Sequence, residues 1–238
     1  MKIVSVNIED KKHISRVIAL VEREMPDVLF VQEICEKNLS DISSLIGGSY
    51  SFAPMAFKDT LNDRLGIAVF SSLPVVYTIH TLKEADRTVA SYSCASFEDR
   101  FRSQSYHALE AVVTDLEGKF YRFYNTHLPV TEAGSTTEFQ FSVVKSLLKV
   151  LAQNPDAILV GDANAPRGKE AFSMIAASYK DNIPTTYTTS IDNTLHRAAP
   201  LELMIDMLFT TPEYVARNAR LITGVSDHCA VCAVVERV

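Results

Sequence analysis

An apolar run, Ala157-Ile158-Leu159-Val160, ends abruptly in Gly161-Asp162-Ala163-Asn164. The pattern predicts a buried strand that stops at a tight turn and presents a carboxylate and an amide. Gly, Asp and Asn are also ordinary turn residues, so one such ending carries little weight. The chain repeats it. Val28-Leu29-Phe30-Val31 runs into Gln32-Glu33, Phe123-Tyr124 runs into Asn125-Thr126-His127, and Met204-Ile205 meets Asp206. Ser226-Asp227-His228 then precedes the apolar stretch from Cys229 to Val235. Strand ends that carry Asp, Glu, Asn and His are the inventory of a hard-metal site with a histidine beside it. Glu33 follows directly on buried-strand residues, although Glu is a poor turn former. Asp206 sits within Met204-Ile205-Asp206-Met207-Leu208-Phe209. A carboxylate in an apolar strand must find a partner, and a histidine is the obvious one.

These groups need a frame of strands to bring them together. Alternation over residues 2–8 predicts a first strand, and Ile14, Val17, Ile18 and Val21 give one helical face across His13–Arg23. Met25-Pro26-Asp27 ends that helix before the strand Val28–Val31. A short helix is expected over Asn38–Ile46, stopped by Gly47-Gly48. Strands follow near Tyr50–Phe57, Leu65–Ser71, Val75–Leu82, Thr88–Ser96, His107–Asp115 and Lys119–Thr126, with a hairpin turn at Asp115–Gly118. Thr136–Ala152 reads as a long amphipathic helix, Lys169–Ala177 as a short one. Strands near Ile205–Phe209, Ala219–Thr223 and Cys229–Val235 close the order. This is neither βαβ alternation nor an all-β pattern. It predicts two sheets packed face to face with helices outside, which explains continuous apolar runs such as Ile67-Ala68-Val69-Phe70.

The 238 residues, 47% of them hydrophobic, suffice for a sizeable core, and no linker or repeat divides them, so a single domain over residues 1–238 is expected. The N-terminal apolar run is too short for a signal peptide and no stretch is long enough to span a membrane, so a cytoplasmic protein without an obligate protein partner is expected. Cys35, Cys94, Cys229 and Cys232 read as small buried hydrophobes: Cys229 and Cys232 are three apart in a strand and point to opposite faces. The six histidines show no His-x₃-His or His-Glu-x-x-His spacing for zinc. A net charge of −6 argues against a global grip on phosphates. Any such grip must be local, with Lys58, Arg64, Arg87, Arg100 and Arg102 in the segments between strands as candidates, and Arg100 and Arg102 as the substrate-binding pair.

Taken in order, strand-Asn7, Gln32-Glu33, Asn125-Thr126-His127-Leu128, Gly161-Asp162-Ala163-Asn164, Ile205-Asp206 and Ser226-Asp227-His228 resemble the motifs of the endonuclease/exonuclease/phosphatase superfamily, the deoxyribonuclease-I-like fold. Leu65-Gly66 to Ser71 is similar to that family's glycine-containing strand. The resemblance spans residues 3 to 232 and implies an α+β fold: a four-layer α/β/β/α sandwich of two mixed sheets. It implies a Mg²⁺- or Mn²⁺-dependent hydrolase in which Glu33, Asn7 and Asp227 hold the cation. Asp162 would orient or deprotonate the attacking water, and Asn164 would bond the phosphate or that water. His228, oriented by Asp206, would meet developing charge, and His127 would contact a phosphate oxygen. Two departures, Ala163 for a larger apolar residue and Cys229-Ala230 for a proline, remove no functional group. The absence of Trp, and Ile8-Glu9-Asp10 in place of an Asn-Gly element, separate the chain from the abasic-site, phosphoinositide and tyrosyl-DNA branches. A phosphodiester in nucleic acid is the expected substrate. The alternatives are a small-molecule or lipid phosphate ester, and a silent binding module of the same fold.

Overall fold

The protein is described here as a computed structural model covering residues 1–86 and 95–238. Its elements run β1 (Lys2–Asn7), α1 (Ile14–Glu24), β2 (Val28–Cys35), α2 (Leu39–Ile46), β3 (Ser49–Lys58), β4 (Asp63–Ser71), β5 (Val75–Lys83), α3 (Phe97–Arg102) and β6 (Tyr106–Thr114). Then come β7 (Phe120–His127), α4 (Glu138–Leu151), β8 (Ile158–Asp162), α5 (Glu170–Ala176), β9 (Lys180–Asp181), β10 (Asp206–Thr210), β11 (Tyr214–Ile222) and β12 (Ala230–Arg237). The strands form two six-stranded mixed sheets, ordered β11-β12-β1-β2-β4-β3 and β5-β6-β7-β8-β10-β9. Each is antiparallel except for one central parallel pair, β1 with β2 and β7 with β8.

The expected α+β sandwich is the observed one. Val28, Phe30, Val69 and Phe123 meet between the sheets, with the Phe30 and Phe123 rings 5.2 Å apart. On the outer face of the first sheet, Val4, Val6, Leu29 and Val31 pack under Val17, Leu20 and Val21 of α1 and Ile42 of α2. On the second sheet, α4 contributes Val143, Val144, Leu147 and Leu151, and α5 adds Phe172 and Ile175. Fully burying one such side chain is worth about 1.5–3 kcal/mol. The central strands of both sheets are thus covered on both faces, and so β2, β4, β8 and β10 are buried almost throughout.

Local chemistry sets the ends of the elements. α1 stops at Met25, which takes a left-handed conformation (φ 44°), and Pro26 follows. Thr137 caps α4 by accepting the Gln140 N–H at 3.2 Å. The hairpin turn forms as expected, with the Gly118 N–H on the Asp115 carbonyl. Cys35, Cys229 and Cys232 are buried and free. Among the described residues, no helix is long and apolar enough to cross a membrane.

Three expectations at the level of elements change, and a fourth lies mostly outside the described residues. The strand near Thr88–Ser96 falls mostly on residues 87–94, outside the described residues, as do Arg87 and Cys94. Ser96 caps α3 instead, so Arg100 and Arg102 sit on a short helix rather than in a loop. β2 does not stop at Val31: it continues to Cys35 through an irregularity between Val31 and Ile34. β11 begins at Tyr214, well before Ala219, because a second irregularity between Arg217 and Arg220 breaks its alternation.

Candidate active site

The two parallel pairs deliver four strand ends to one edge of the sandwich. Asn7 lies opposite Gln32 in register, and His127 lies opposite Asp162. The antiparallel neighbours begin at the same edge: Asp206 opens β10 opposite Asp162, and Asp227-His228 leads into β12. This edge borders a cleft of about 700 Å³ lined by Glu9, Glu33, His127, Asp162, Asn164, Asp227 and His228, among others.

Two backbone features aim the carboxylates. Glu33 occupies the irregularity in β2 with φ 55°, a left-handed conformation rare for a residue with a side chain. The extra residue re-aims Glu33 toward the cleft while Gln32 turns into the core, fully buried. There Gln32 bonds Asn125 at 2.7 Å, and Asn125 in turn donates to the Val31 and Ala68 carbonyls, tying the two sheets together directly beneath the site. Gly161, just before Asp162, has φ 124°, and a Cβ there would lie 2.0 Å from the Thr126 carbonyl oxygen. Only glycine lets β8 approach β7 this closely.

The buried floor is Asp162, Asp206 and His228, with one candidate ligand atom from each lying within 4.8 Å of the others. His228 Nδ1 is 2.8 Å from Asp206 Oδ2, and its Nε2 is 3.8 Å from Asp162 Oδ2. Burial disfavours the imidazolium, but the Asp206 and Asp162 carboxylates outweigh it and push the His228 pKa up to about 10. Asp162 is 1% exposed, and burial raises its pKa against the pull of His228; Asp206 pushes in the same direction as burial. Asn7 Nδ2 donates to Asp162 Oδ2 at 3.1 Å and to Glu33 Oε1 at 3.2 Å. His127 Nε2 is 3.6 Å from both of those carboxylates. Asn164 (φ 46°) gives its N–H to Asp162 Oδ1 and its amide nitrogen to the Leu128 carbonyl.

The structure thus brings together Asn7, Glu33, His127, Asp162, Asn164, Asp206 and His228. Asn7 was expected to help hold a cation. It faces the carboxylates with its nitrogen, and its oxygen accepts the Glu9 N–H at 3.2 Å, so it links Glu33 to Asp162. Asp227 lies in the same cleft but clusters with Glu9 and His13. Arg100 lines the cleft, whereas Arg102 is held by Asp86 and Glu98. Lys58 reaches the cleft wall bound to Asp10 at 2.8 Å, and Arg64 pairs with Glu36.

Sequence reasoning gave no role to three contributors. Ser190 Oγ accepts the N–H groups of Ile205 and Asp206 at 3.1 and 3.0 Å, and the Ser190 carbonyl accepts the Cys229 N–H, so one serine braces both members of the Asp206–His228 pair. Glu9, which lines the cleft, and His13, four residues on across the start of α1, cluster with Asp227. Only that Glu-x₃-His spacing could have signalled them, and it spans a loop whose conformation is invisible in sequence.

No curated protein sequence matches the chain. Among solved structures, a mannosyl-6-phosphatase from Bacteroides thetaiotaomicron superposes with a TM-score of 0.75 at 14% identity, covering 99% of both chains. The human Nocturnin catalytic domain, with bound sulfate, gives 0.73 at 17% identity over 100% of this chain and 93% of that one. The 3′ phosphatase NExo from Neisseria, bound to a product DNA hairpin, gives 0.68 at 16% identity over 99% of both. At such identities the likeness is one of fold. The sequence itself matches the Endonuclease/Exonuclease/phosphatase family over residues 6–228, and the chain belongs to that family.

Proposed function

We propose that the protein is a divalent-metal-dependent phosphoesterase that hydrolyses a phosphodiester, with nucleic acid as its first substrate class. The observation that carries this reading is the buried Asp162–Asp206–His228 group on the floor of the cleft, with Glu33 and His127 above it. The donors fit a hard cation: Glu33 is 28% exposed and turned toward the cleft, and Asp227 is a second carboxylate within it. A bound Mg²⁺ or Mn²⁺ would supply Lewis-acid stabilisation of the phosphate oxygens.

The remaining chemistry belongs to the chain. Burial raises the proton affinity of Asp162 at the reacting edge, which suits it to take a proton from water. Asn7 and the Asn164 N–H hold its two oxygens in place. His228 donates a hydrogen bond from its Nδ1–H to Asp206 and keeps Nε2 toward Asp162 and the cleft. It is cationic at neutral pH, so it can stabilise negative charge on the phosphate and donate to the leaving group. His127 and the Asn164 side chain border the space where phosphate oxygens would lie.

A small phosphate ester is the second reading, favoured by how few cations face the cleft. Of those in its lining, Lys58 is bound to Asp10, while Arg100 and Arg197 have no ion pair among the described residues. The neighbours include proteins named for action on a sugar phosphate and on DNA, so each reading has a structural relative.

The deciding experiment is a substrate panel of abasic duplex, single-stranded DNA, RNA, inositol phosphates, phospholipids and a chromogenic phosphodiester, run with Mg²⁺ or Mn²⁺ beside a Glu33→Ala control. The proposal expects chelator-sensitive turnover of at least one phosphodiester, lost in Glu33→Ala without loss of fold. Turnover confined to small monoesters supports the second reading. No turnover of any ester makes the protein a binding module.

A further inference from the structure

The loop between β1 and α1 carries a cluster whose imidazole has no part in the site as read so far. Glu9, His13 and Asp227 each bring one ligand-type atom within 4.8 Å of the other two. Glu9 and Asp227 also line the active-site cleft. Two consecutive left-handed residues, Glu9 (φ 46°) and Asp10 (φ 64°), turn the chain so that Glu9 and His13 meet across the start of α1. Lys58 holds the turn from the side by bonding Asp10.

His13 stands at the capping position of α1, where Ser, Thr, Asp or Asn is usual. Its side chain makes no capping hydrogen bond. The Nε2 atom is buried without a hydrogen-bond partner, 3.4 Å from Glu9 Oε2. A buried ring nitrogen left in that state is costly, and neither the helix nor the core uses it. Lys12 already pairs with Glu9 Oε1 and Ser226 donates to Asp227 Oδ1, so the imidazole nitrogen is the unpartnered atom of the three, and a cation between the groups would satisfy it.

We propose that His13 is a nitrogen ligand of the divalent-cation site, acting with Glu9 and Asp227, and that it shifts the site's preference away from Mg²⁺ toward imidazole-binding transition metals such as Zn²⁺. The inference rests on the phosphoesterase reading, which gives Asp227 to the cation, and it replaces an all-oxygen ligand set with a mixed one. Mg²⁺ is held by oxygen, whereas imidazole suits the later first-row metals.

The test is calorimetric titration of the full chain with Mg²⁺ and with Zn²⁺, in wild type, His13→Gln and Glu33→Gln. In parallel, the histidine ring resonances of isotope-labelled wild type are followed as Zn²⁺ is added. Loss of His13 should weaken Zn²⁺ binding by at least about tenfold and change Mg²⁺ binding by less than about twofold. The His13 ring signal, assigned by its absence from His13→Gln, should move with the first equivalent of Zn²⁺. His13→Asn, a good helix cap, provides the same comparison if His13→Gln unfolds α1. Unchanged Zn²⁺ affinity in the variants, or a His13 ring that ignores Zn²⁺, overturns the proposal. Metal binding that depends on Glu33 but not on His13 sinks this inference and leaves the phosphoesterase reading standing. Zn²⁺ binding that depends on His13, without turnover of any ester, sinks the activity and keeps the site.

Discussion

At the scale of residues, the site works through pairs. Asp206 and His228 are 2.8 Å apart and buried, and each makes sense only with the other. Asp206→Ala and His228→Ala should each slow turnover by roughly 10²–10³, the usual loss for one preorganised transition-state group. The double variant should be little slower than the worse single, because groups that act as a unit are non-additive. Steady-state kinetics of the four proteins checks this, and fully additive losses would break the pairing. The partnership was legible in sequence, since a carboxylate inside Met204–Phe209 required a partner. What braces it was not legible. Ser190 is one polar residue in a stretch of loop, and nothing in Thr189-Ser190-Ile191 announces that its hydroxyl receives two N–H groups fifteen and sixteen residues on. The side-chain partners of Lys58, Arg64 and Arg102 were equally hidden, because ion pairs between distant loops leave no pattern in a single chain.

At the scale of elements, close approach between strands sets the geometry. A methyl group on Gly161 would meet the Thr126 carbonyl at 2.0 Å in a backbone conformation that side chains rarely adopt. Gly161→Ala should therefore destabilise the fold by about 1–3 kcal/mol, read as a lower denaturant midpoint, and should reduce activity by displacing Asp162. A second test lies away from the site. Glu24, at the end of α1, bonds Lys2 of β1 at 3.0 Å and Arg220 of β11 at 2.8 Å. Lys2 above all, with Arg23 and Arg220, lowers its pKa from 4.5 to about 2. A folded pKa below the ordinary one means that the stability is present in full above pH 4.5 and lost as the pH falls toward 2. Glu24→Gln should cost on the order of 1–2 kcal/mol at pH 7, and the gap to wild type should close below about pH 4.5 in urea titrations. A gap that persists to pH 2 would refute the electrostatic account. Most strands and helices were readable because period-2 and period-3.6 patterns survive in their sequences. The exceptions have one cause. β2 and β11 contain irregularities that break alternation, so the first was read as ending early and the second as beginning late. β9 has two residues and no period to read.

At the scale of the whole molecule, an acidic protein must offer phosphate a local welcome. The net charge is −6, yet Arg100 and Arg197 face the cleft without ion pairs among the described residues. Arg100→Glu should raise KM by about five- to tenfold and change kcat by less than twofold, with wild-type kcat/KM falling as salt is added. Indifference to both salt and charge reversal would point to a neutral pocket and a small substrate. The order of the strands has one more effect. The hairpin turn at Asp115–Gly118 divides the chain into halves that do not correspond to the two sheets. The first half builds β1–β4 of one sheet and β5–β6 of the other; the second builds β7–β10 and then crosses back to add β11–β12. Each half therefore completes the other's sheet, and the site takes Asn7, Glu33 and the cleft-lining Glu9, Lys58 and Arg100 from the first half, and His127, Asp162, Asn164, Asp206, Asp227 and His228 from the second. Neither half holds the whole set. The antiparallel pairing of β12 with β1, near the two ends of the chain, holds the His228 segment at the edge where Asn7 stands. A chain severed at the Asp115–Gly118 turn separates Asn7 and Glu33 from Asp162 and His228, so the loss of either half takes the complete site with it.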